Sequence, residues 1–311
     1  MFKWGKKGIV LAPDDIGDWA ISHAQVPVPL LLEDRLRIFF ACRCSKGLSR
    51  TTYADVKRED PTEVIYVHNE PILDLGRHGA FDEFGIMPSG VIATEGKIYL
   101  YYGAWSRLNS EAAFHNGCGL AISSDGGKTF RKFVGPIFSR THDEELWSSS
   151  PFVYKVGDEW RCLYTHATDW VQVGDKFEST YHIKQVTSDD GIFWSRERPV
   201  AIEQRSKNEA ITRACAIKMD DCYHSWFSYR SICDYRDGVG AYKIGYAKSR
   251  DGIEWKRDDC LAGLPLGEAG DFDDKMQAYP YVIFVDGRCY MFYNGNSFGE
   301  QGFACAELIT E

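Results

Sequence analysis

The chain reads as an all-β protein: a five-bladed β-propeller with four-stranded antiparallel blades, its ring closed by the N-terminal segment. Three observations predict this. The sequence repeats itself five times, its middle repeats share an Asp-Gly hairpin, and its last repeat is one strand short while a spare segment stands at the front.

Five segments follow one order: an opening run, a short apolar strand, a turn, then a second strand rich in aromatics. They are Ala24–Arg43 (AQVPVPLLLEDRLRIFFACR), Gly85–Trp105 (GIMPSGVIATEGKIYLYYGAW), Ser148–Thr168 (SSSPFVYKVGDEWRCLYTHAT), Thr212–Ser231 (TRACAIKMDDCYHSWFSYRS) and Ala278–Asn296 (AYPYVIFVDGRCYMFYNGN). Taking Pro27, Pro88, Pro151, Cys215 and Pro280 as equivalent gives spacings of 61, 63, 64 and 65, and five such units fill 311 residues. The period exceeds the roughly 40–50 residues of common propeller repeats, which leaves room for long loops.

The back of each middle unit carries a second repeat: SSDGGKTF at Ser123–Phe130, SDDGIFW at Ser188–Trp194 and SRDGIEW at Ser249–Trp255. Asp-Gly between strands is a tight-hairpin signal, because Gly accepts φ > 0 and Asp bonds its own turn backbone. Each unit therefore holds four strands. The first unit lacks the motif, reading SRTTYADVKREDPTEVIYV, and the fifth stops at Phe303–Ile309 (FACAELI) after its third strand. Lys3–Leu11 (KWGKKGIVL) is left over, and exposed sheet edges must be covered. Pairing it with blade five closes the ring. No linker, low-complexity stretch or long helical period divides the chain, so residues 1–311 read as a single domain.

Hydrophobic residues at 44% and charged residues at 26% are sufficient for a full core. The aromatic share of 14% suits strands and also suits surfaces that stack on sugars. A formal charge of -9 with no basic run argues against nucleic acid as a partner. No apolar stretch approaches the roughly 20 residues that cross a bilayer, so no membrane partner is expected. Met1–Val10 carries three lysines and no apolar signal core. The ten cysteines are scattered without a C-x-x-C pair and read as reduced thiols of a cytoplasmic protein. Export would require a leader already removed.

Alternating strand direction fixes the two faces. In each blade the start of strand one and the end of strand two share one end of the channel, and the Ser-x-Asp-Gly turns share the other. The near face gathers carboxylates, arginines and aromatics, with Ser106–Asn116 and Asp169–Thr180 as its long loops. Carboxylates gathered at one mouth can serve as an acid that gives a proton and a base that takes one. The catalytic candidates are Glu209 as general acid, Asp82 as base and Glu145 tuning the pair. The substrate-binding candidates are His23, Arg43, Trp105, Trp147, His166, Arg213, Arg230 and Asn294. No His-x-x-x-His or dense His/Asp cluster marks a metal site. No cofactor is expected, and a structural channel ion such as calcium stays open.

In these motifs the chain resembles the five-bladed propeller superfamily of arabinanases, invertases and levansucrases, including glycoside hydrolase families 32, 43 and 130. The resemblance rests on the first-strand prolines, the S-x-D-G-x-x-W turns, second-strand ends such as YLYYGAW, and the last repeat YPYVIFVDGRCYMFYNGNSFG. SSDGGKTF is also similar to the sialidase aspartate box S-x-D-x-G-x-T-W, with Phe130 in place of Trp. The resemblance implies a carbohydrate substrate. In such enzymes the catalytic Asp and Glu stand one or two residues before the first-strand proline. Here those places hold Gln25 and Val26, Ile86 and Met87, Ser149 and Ser150, Thr212 and Arg213, Ala278 and Tyr279, none of them acidic.

The expected function is a glycoside hydrolase acting on a small oligosaccharide or glycoconjugate. The alternatives are a phosphate-dependent glycoside phosphorylase or related glycosyltransferase, and a sugar-binding propeller without catalysis. In the phosphorylase reading phosphate is a partner, held by Arg43, Arg213, Arg230, Lys275 and His23.

Overall fold

In the computed structural model, which describes residues 1–108, 110–236 and 238–309, the aromatic and β-branched runs of the repeats form the strands. The chain opens with β1 (Trp4–Leu11). The first repeat gives β2 (Ser22–Leu31), β3 (Arg35–Arg43), β4 (Ser49–Lys57) and β5 (Val64–Val67). The second gives β6 (Gly85–Thr94), β7 (Lys97–Arg107), β8 (Phe114–Ser123) and β9 (Arg131–Lys132). The third gives β10 (Ser148–Val156), β11 (Glu159–Val173), β12 (Lys176–Ser188) and β13 (Val200–Ile202). The fourth gives β14 (Glu209–Met219), β15 (Cys222–Ser231), β16 (Lys243–Ser249) and β17 (Lys256–Arg257). The last holds β18 (Ala278–Val285), β19 (Arg288–Asn294) and β20 (Phe303–Leu308).

Within each repeat, neighbouring strands pair antiparallel. Adjacent repeats touch through single parallel bridges, Ser49↔Gly85 and Tyr181↔Ala210. The described residues thus form two eight-stranded sheets, each of two four-stranded units, and one four-stranded sheet in the order β1-β20-β19-β18. In that sheet β1 pairs with β20 from Trp4↔Leu308 to Leu11↔Phe303, so the spare front segment supplies the strand the last repeat lacks. The Trp4 and Trp226 indoles meet edge-on at 5.5 Å, and both donate to the Ala262 carbonyl, at 3.0 and 3.1 Å. Among the described residues, no helix is long and apolar enough to cross a membrane. All ten cysteines are free.

The Asp-Gly turns are built from the two side chains that define them. Ser123, Ser188 and Ser249 each accept the N–H of the turn glycine at 2.9 Å. Asp125, Asp190 and Asp251 each accept the next two backbone N–H groups, between 2.8 and 3.1 Å. The turn carbonyls are left to face the preceding unit. Arg37 donates to Gly127 O at 2.9 Å, Tyr101 to Gly191 O at 2.8 Å, and Tyr154 to Gly252 O at 3.2 Å. Gly191 needs its missing side chain twice over: its φ is +73, and a Cβ would stand 2.7 Å from Trp160 and the Tyr101 hydroxyl.

The first strand of each unit carries a bulge, and this corrects the alignment of the repeats. Val26, Ser150, Arg213 and Tyr279 all have left-handed φ, between 53 and 59. The residue after each is Pro27, Pro151, Ala214 or Pro280, so Ala214 rather than Cys215 is the counterpart of the prolines. In the second unit Met87 pairs with Gly103 as Ser149 pairs with Thr165, which puts Pro88 itself at the bulge position. Proline cannot take positive φ, so that unit alone lacks the left-handed residue. The equivalent positions are therefore Val26, Pro88, Ser150, Arg213 and Tyr279. The expected loop Asp169–Thr180 is also different: the β11–β12 hairpin stays paired out to Val173↔Lys176.

Two outcomes test these contacts. Trp4→Ala is expected to lower stability by about 3–5 kcal/mol in urea unfolding, the cost of emptying a buried indole site. Asp251→Ala is expected to cost roughly 1 kcal/mol, as for other carboxylates that cap backbone amides. The Glu254 and Ile253 amides hold the Asp251 carboxyl down at about 2. The depressed value means its contribution is present above about 3.8 and lost as pH falls through about 2. The gap between wild type and Asp251→Ala should therefore be constant at neutral pH and close toward pH 2.

Candidate functional site

A cavity of about 490 Å³ opens where the starts of first strands, the ends of second strands and the starts of third strands converge. The first strands of all five repeats contribute: Val26, Met87, Ser150, Arg213 and Tyr279 line it. Val26, Ser150, Arg213 and Tyr279 stand at left-handed bulge positions, which turn their side chains from the direction a regular strand would give them. Second strands add Arg43, Trp105 and Arg230, each two residues beyond the counterparts Ala41, Gly103 and Ser228 and so on the same strand face. None of the Asp-Gly turns lines the cavity.

Glu178, at the start of β12, is the single carboxylate of the described lining. Tyr235 donates to one of its oxygens at 2.8 Å and Arg236 to the other at 2.8 Å. The Arg230 guanidinium lies 3.8 Å from the Tyr235 ring centroid. Its donors go to the Tyr181 and Tyr242 hydroxyls at 3.1 and 3.2 Å and to the Ser231 and Ser179 carbonyls at 3.0 and 3.1 Å. Arg230 is thus a pillar, its hydrogen-bonding capacity largely used within the wall. Trp147 packs 5.7 Å from Phe114 and 5.4 Å from Tyr181, with its indole N–H buried and without a protein partner.

Of the residues singled out from the sequence, Arg43, Trp105, Trp147, Arg213 and Arg230 line this cavity. The three carboxylates do not. Glu209 receives a two-pronged ion pair from Arg257, at 2.6 and 2.9 Å, and Arg257 also holds Asp259. Asp82 is buried against Lys132 at 2.6 Å. Glu145 is exposed, while its neighbour Glu144 is buried among Lys184, Arg198 and Tyr164 at 2.5, 3.0 and 3.0 Å.

His166 sits one residue before Ala167, the counterpart of Arg43 and Arg230, so it faces the opposite side and packs 5.8 Å from His182. His23 pairs with Ser22 at 2.8 Å, and burial, then the charge of Arg43, lowers it to about 4, which leaves it neutral at pH 7. Asn294 is a clamp: its amide donates to Ala24 O and Gly302 O and accepts the Val26 N–H at 2.7 Å. Sequence reasoning missed Glu178, Tyr181, Tyr235, Arg236 and Tyr242. The available signal was topological, because third-strand starts share an end with second-strand ends. Among the described residues, no three His, Cys, Asp or Glu side chains gather as metal ligands.

No family model matches the sequence. Two uncharacterized proteins of Mycobacterium tuberculosis, MT1551 of strain CDC 1551 / Oshkosh and Rv1502 of strain ATCC 25618 / H37Rv, are each 29% identical over 307 residues, spanning 98% of this chain and 99% of theirs. Among solved structures, a glycoside hydrolase superposes with a TM-score of 0.78 at 18% identity, over 100% of this chain and 93% of its own. A thermostable family-43 glycoside hydrolase gives 0.69 at 16% identity, over 97% and 94%. The GH43_1 enzyme from Xanthomonas citri, complexed with xylose, gives 0.66 at 12%, over 94% and 89%. At these identities the likeness is one of fold, shared with these glycoside hydrolase structures.

Proposed function

We propose that the chain is a single-domain five-bladed β-propeller, closed by β1, that makes or breaks glycosidic bonds in this cavity with Glu178 exchanging the proton. One observation carries the reading: the lining sets one carboxylate, fixed at both oxygens, among aromatic rings. Five four-stranded units support the blade count, and the β1–β20 pairing supports the closure. The part-exposed ring of Trp105 suits the C–H face of a sugar.

Glycosyl exchange breaks the bond from the anomeric carbon to the leaving oxygen and forms one from that carbon to the acceptor oxygen. One proton crosses with it. Glu178 takes that proton from the attacking hydroxyl, or in the reverse direction delivers it to the leaving oxygen. Tyr235 and Arg236 position the carboxylate for this and do not themselves exchange the proton. Ordinary hydrolysis uses a second carboxylate about 5–9.5 Å from the first. With one carboxylate in the described lining, an acceptor or leaving group that brings its own negative charge is favoured. Exchange with phosphate is therefore the first reading. Hydrolysis is the second, and the glycoside hydrolases that share the fold favour it.

Sugar release from a glycoside panel, with and without phosphate, tests the reading. Glu178→Gln is expected to lower turnover by roughly 100-fold or more, the usual worth of a positioned proton-transfer group. Full activity in that variant would sink the assignment. Glu209→Gln is expected to keep turnover and to lower stability by roughly 1–3 kcal/mol, because a charge-assisted hydrogen bond to Arg257 is weakened.

A further inference from the structure

The chain carries a net charge of -9, yet among the described residues four arginines and a single carboxylate line the cavity. Two of those arginines already have partners: Arg236 pairs with Glu178, and the donors of Arg230 are spent on the wall. Arg43 and Arg213 are different. Arg213 is 8% exposed and donates from Nη2 to the Pro88 carbonyl at 2.7 Å. Arg43 makes one long contact, to Gln25 Oε1 at 3.4 Å. Among the described residues, no carboxylate stands within 4 Å of either guanidinium.

Elsewhere among the described residues, Arg37 is buried, Arg198 and Arg257 are nearly so, and each is paired. Arg37 holds Asp55 at 2.7 Å, Arg198 holds Glu144 at 3.0 Å, and Arg257 holds Glu209 at 2.6 Å. A buried cation without a counter-charge is costly. With Arg213 buried and Arg43 half-buried in one lining, and Glu300 the one carboxylate whose charge reaches Arg43, the lining marks a place where a counter-charge comes from outside. The Tyr279 phenol, its ring centroid 5.6 Å from the Arg213 guanidinium, does not supply it. Burial pushes that phenol up to about 12 despite the pull of Arg213 and Arg43, so at pH 7 it is a neutral O–H. Burial draws Arg213 down only to about 10, so it remains a cation.

We propose that Arg43 and Arg213 form an oxyanion-binding subsite, so that the molecule processed in the cavity carries a phosphate or carboxylate group. This rests on the cavity being the glycosyl-exchange site. Planar guanidinium forks match the paired oxygens of both groups, and the Tyr279 hydroxyl adds a donor of the same sense. Arg213 occupies the bulge position where its counterparts are Val26, Pro88, Ser150 and Tyr279, so this chain has placed a cation where the fold aims a side chain into the cavity.

Calorimetry and thermal shift with inorganic phosphate, glucose 1-phosphate and glucuronate, at ionic strength fixed by chloride, test the proposal. At least one is expected to bind, with affinity reduced tenfold or more in Arg213→Met and in Arg43→Gln. Inorganic phosphate points to an acceptor, the sugar phosphate alone to a donor, and glucuronate to an acidic sugar. Equal affinity in wild type and both variants, or no binding by any of the three, overturns it. If Arg213→Met does not fold, Arg43→Gln decides alone. Glu178→Gln is expected to keep oxyanion affinity within about twofold while losing turnover. Oxyanion binding that depends on arginine, with turnover intact in Glu178→Gln, leaves the subsite standing and removes the reaction. Turnover of neutral glycosides that requires Glu178, without oxyanion binding, does the reverse.

Discussion

A carbonyl oxygen passed from each Asp-Gly turn to the unit before it sets how the middle units dock. The Ser and Asp of the turn consume its N–H groups, which leaves the carbonyls as the unpaired polar atoms of the corner. Buried acceptors of that kind must find donors, and the donors stand on the preceding unit. Arg37 to Gly127, Tyr101 to Gly191 and Arg161 to Asp251 each span 90 residues, so the same contact recurs with the repeat. The donor is fixed in turn: Arg37 is held by Asp55 and lies 3.8 Å over the Tyr53 ring. Side-chain freedom has been removed from both partners, which is why a contact between a strand and a short turn can hold neighbouring units together.

With one end of the units locked, the other end tolerates strain and uncompensated charge. Val26 is β-branched and Tyr279 bulky, poor choices for φ near +57 and +59, and each persists because the neighbouring unit captures its N–H. Asn294 bonds Val26 N, Thr165 bonds Arg213 N and Ser228 bonds Tyr279 N, at 2.7, 3.4 and 2.7 Å. Gly103 takes the corresponding place before Ser150, where a Cβ would meet Ser149 and Ser150. The backbone at the cavity is therefore set by units on either side, and the side chain at each bulge is left open to change. That separation explains how a shared fold can present an arginine, a tyrosine or a serine at equivalent places.

The repeats, the hairpin turns and the missing last strand were legible because each is a local pattern of alternation and turn chemistry. Side-chain direction near the bulges was not. A shift of one residue in a strand turns every side chain to the other face, and Pro88 and Cys215 misplace the second and fourth units by that one residue. The same parity separates His166 from the cavity while Arg43 and Arg230 reach it. Glu209 and Asp82 looked free because their partners, Arg257 and Lys132, lie 48 and 50 residues away on outer strands. Glu178 was hidden for a different reason: residues read as a loop continue a strand pair, which carries its carboxylate to the cavity wall.

The pairing of β1 with β20 also has a consequence for biosynthesis. β1 finds its partner only when Phe303–Leu308 has been made. Until then β1 lacks its partner strand and the outer edge of the last sheet is open, the condition under which nascent strands join the wrong chain. Contacts of such long range are slow to form. The two glycines and three lysines of KWGKKGIVL suit a strand that must wait, since charge and weak strand propensity discourage premature pairing.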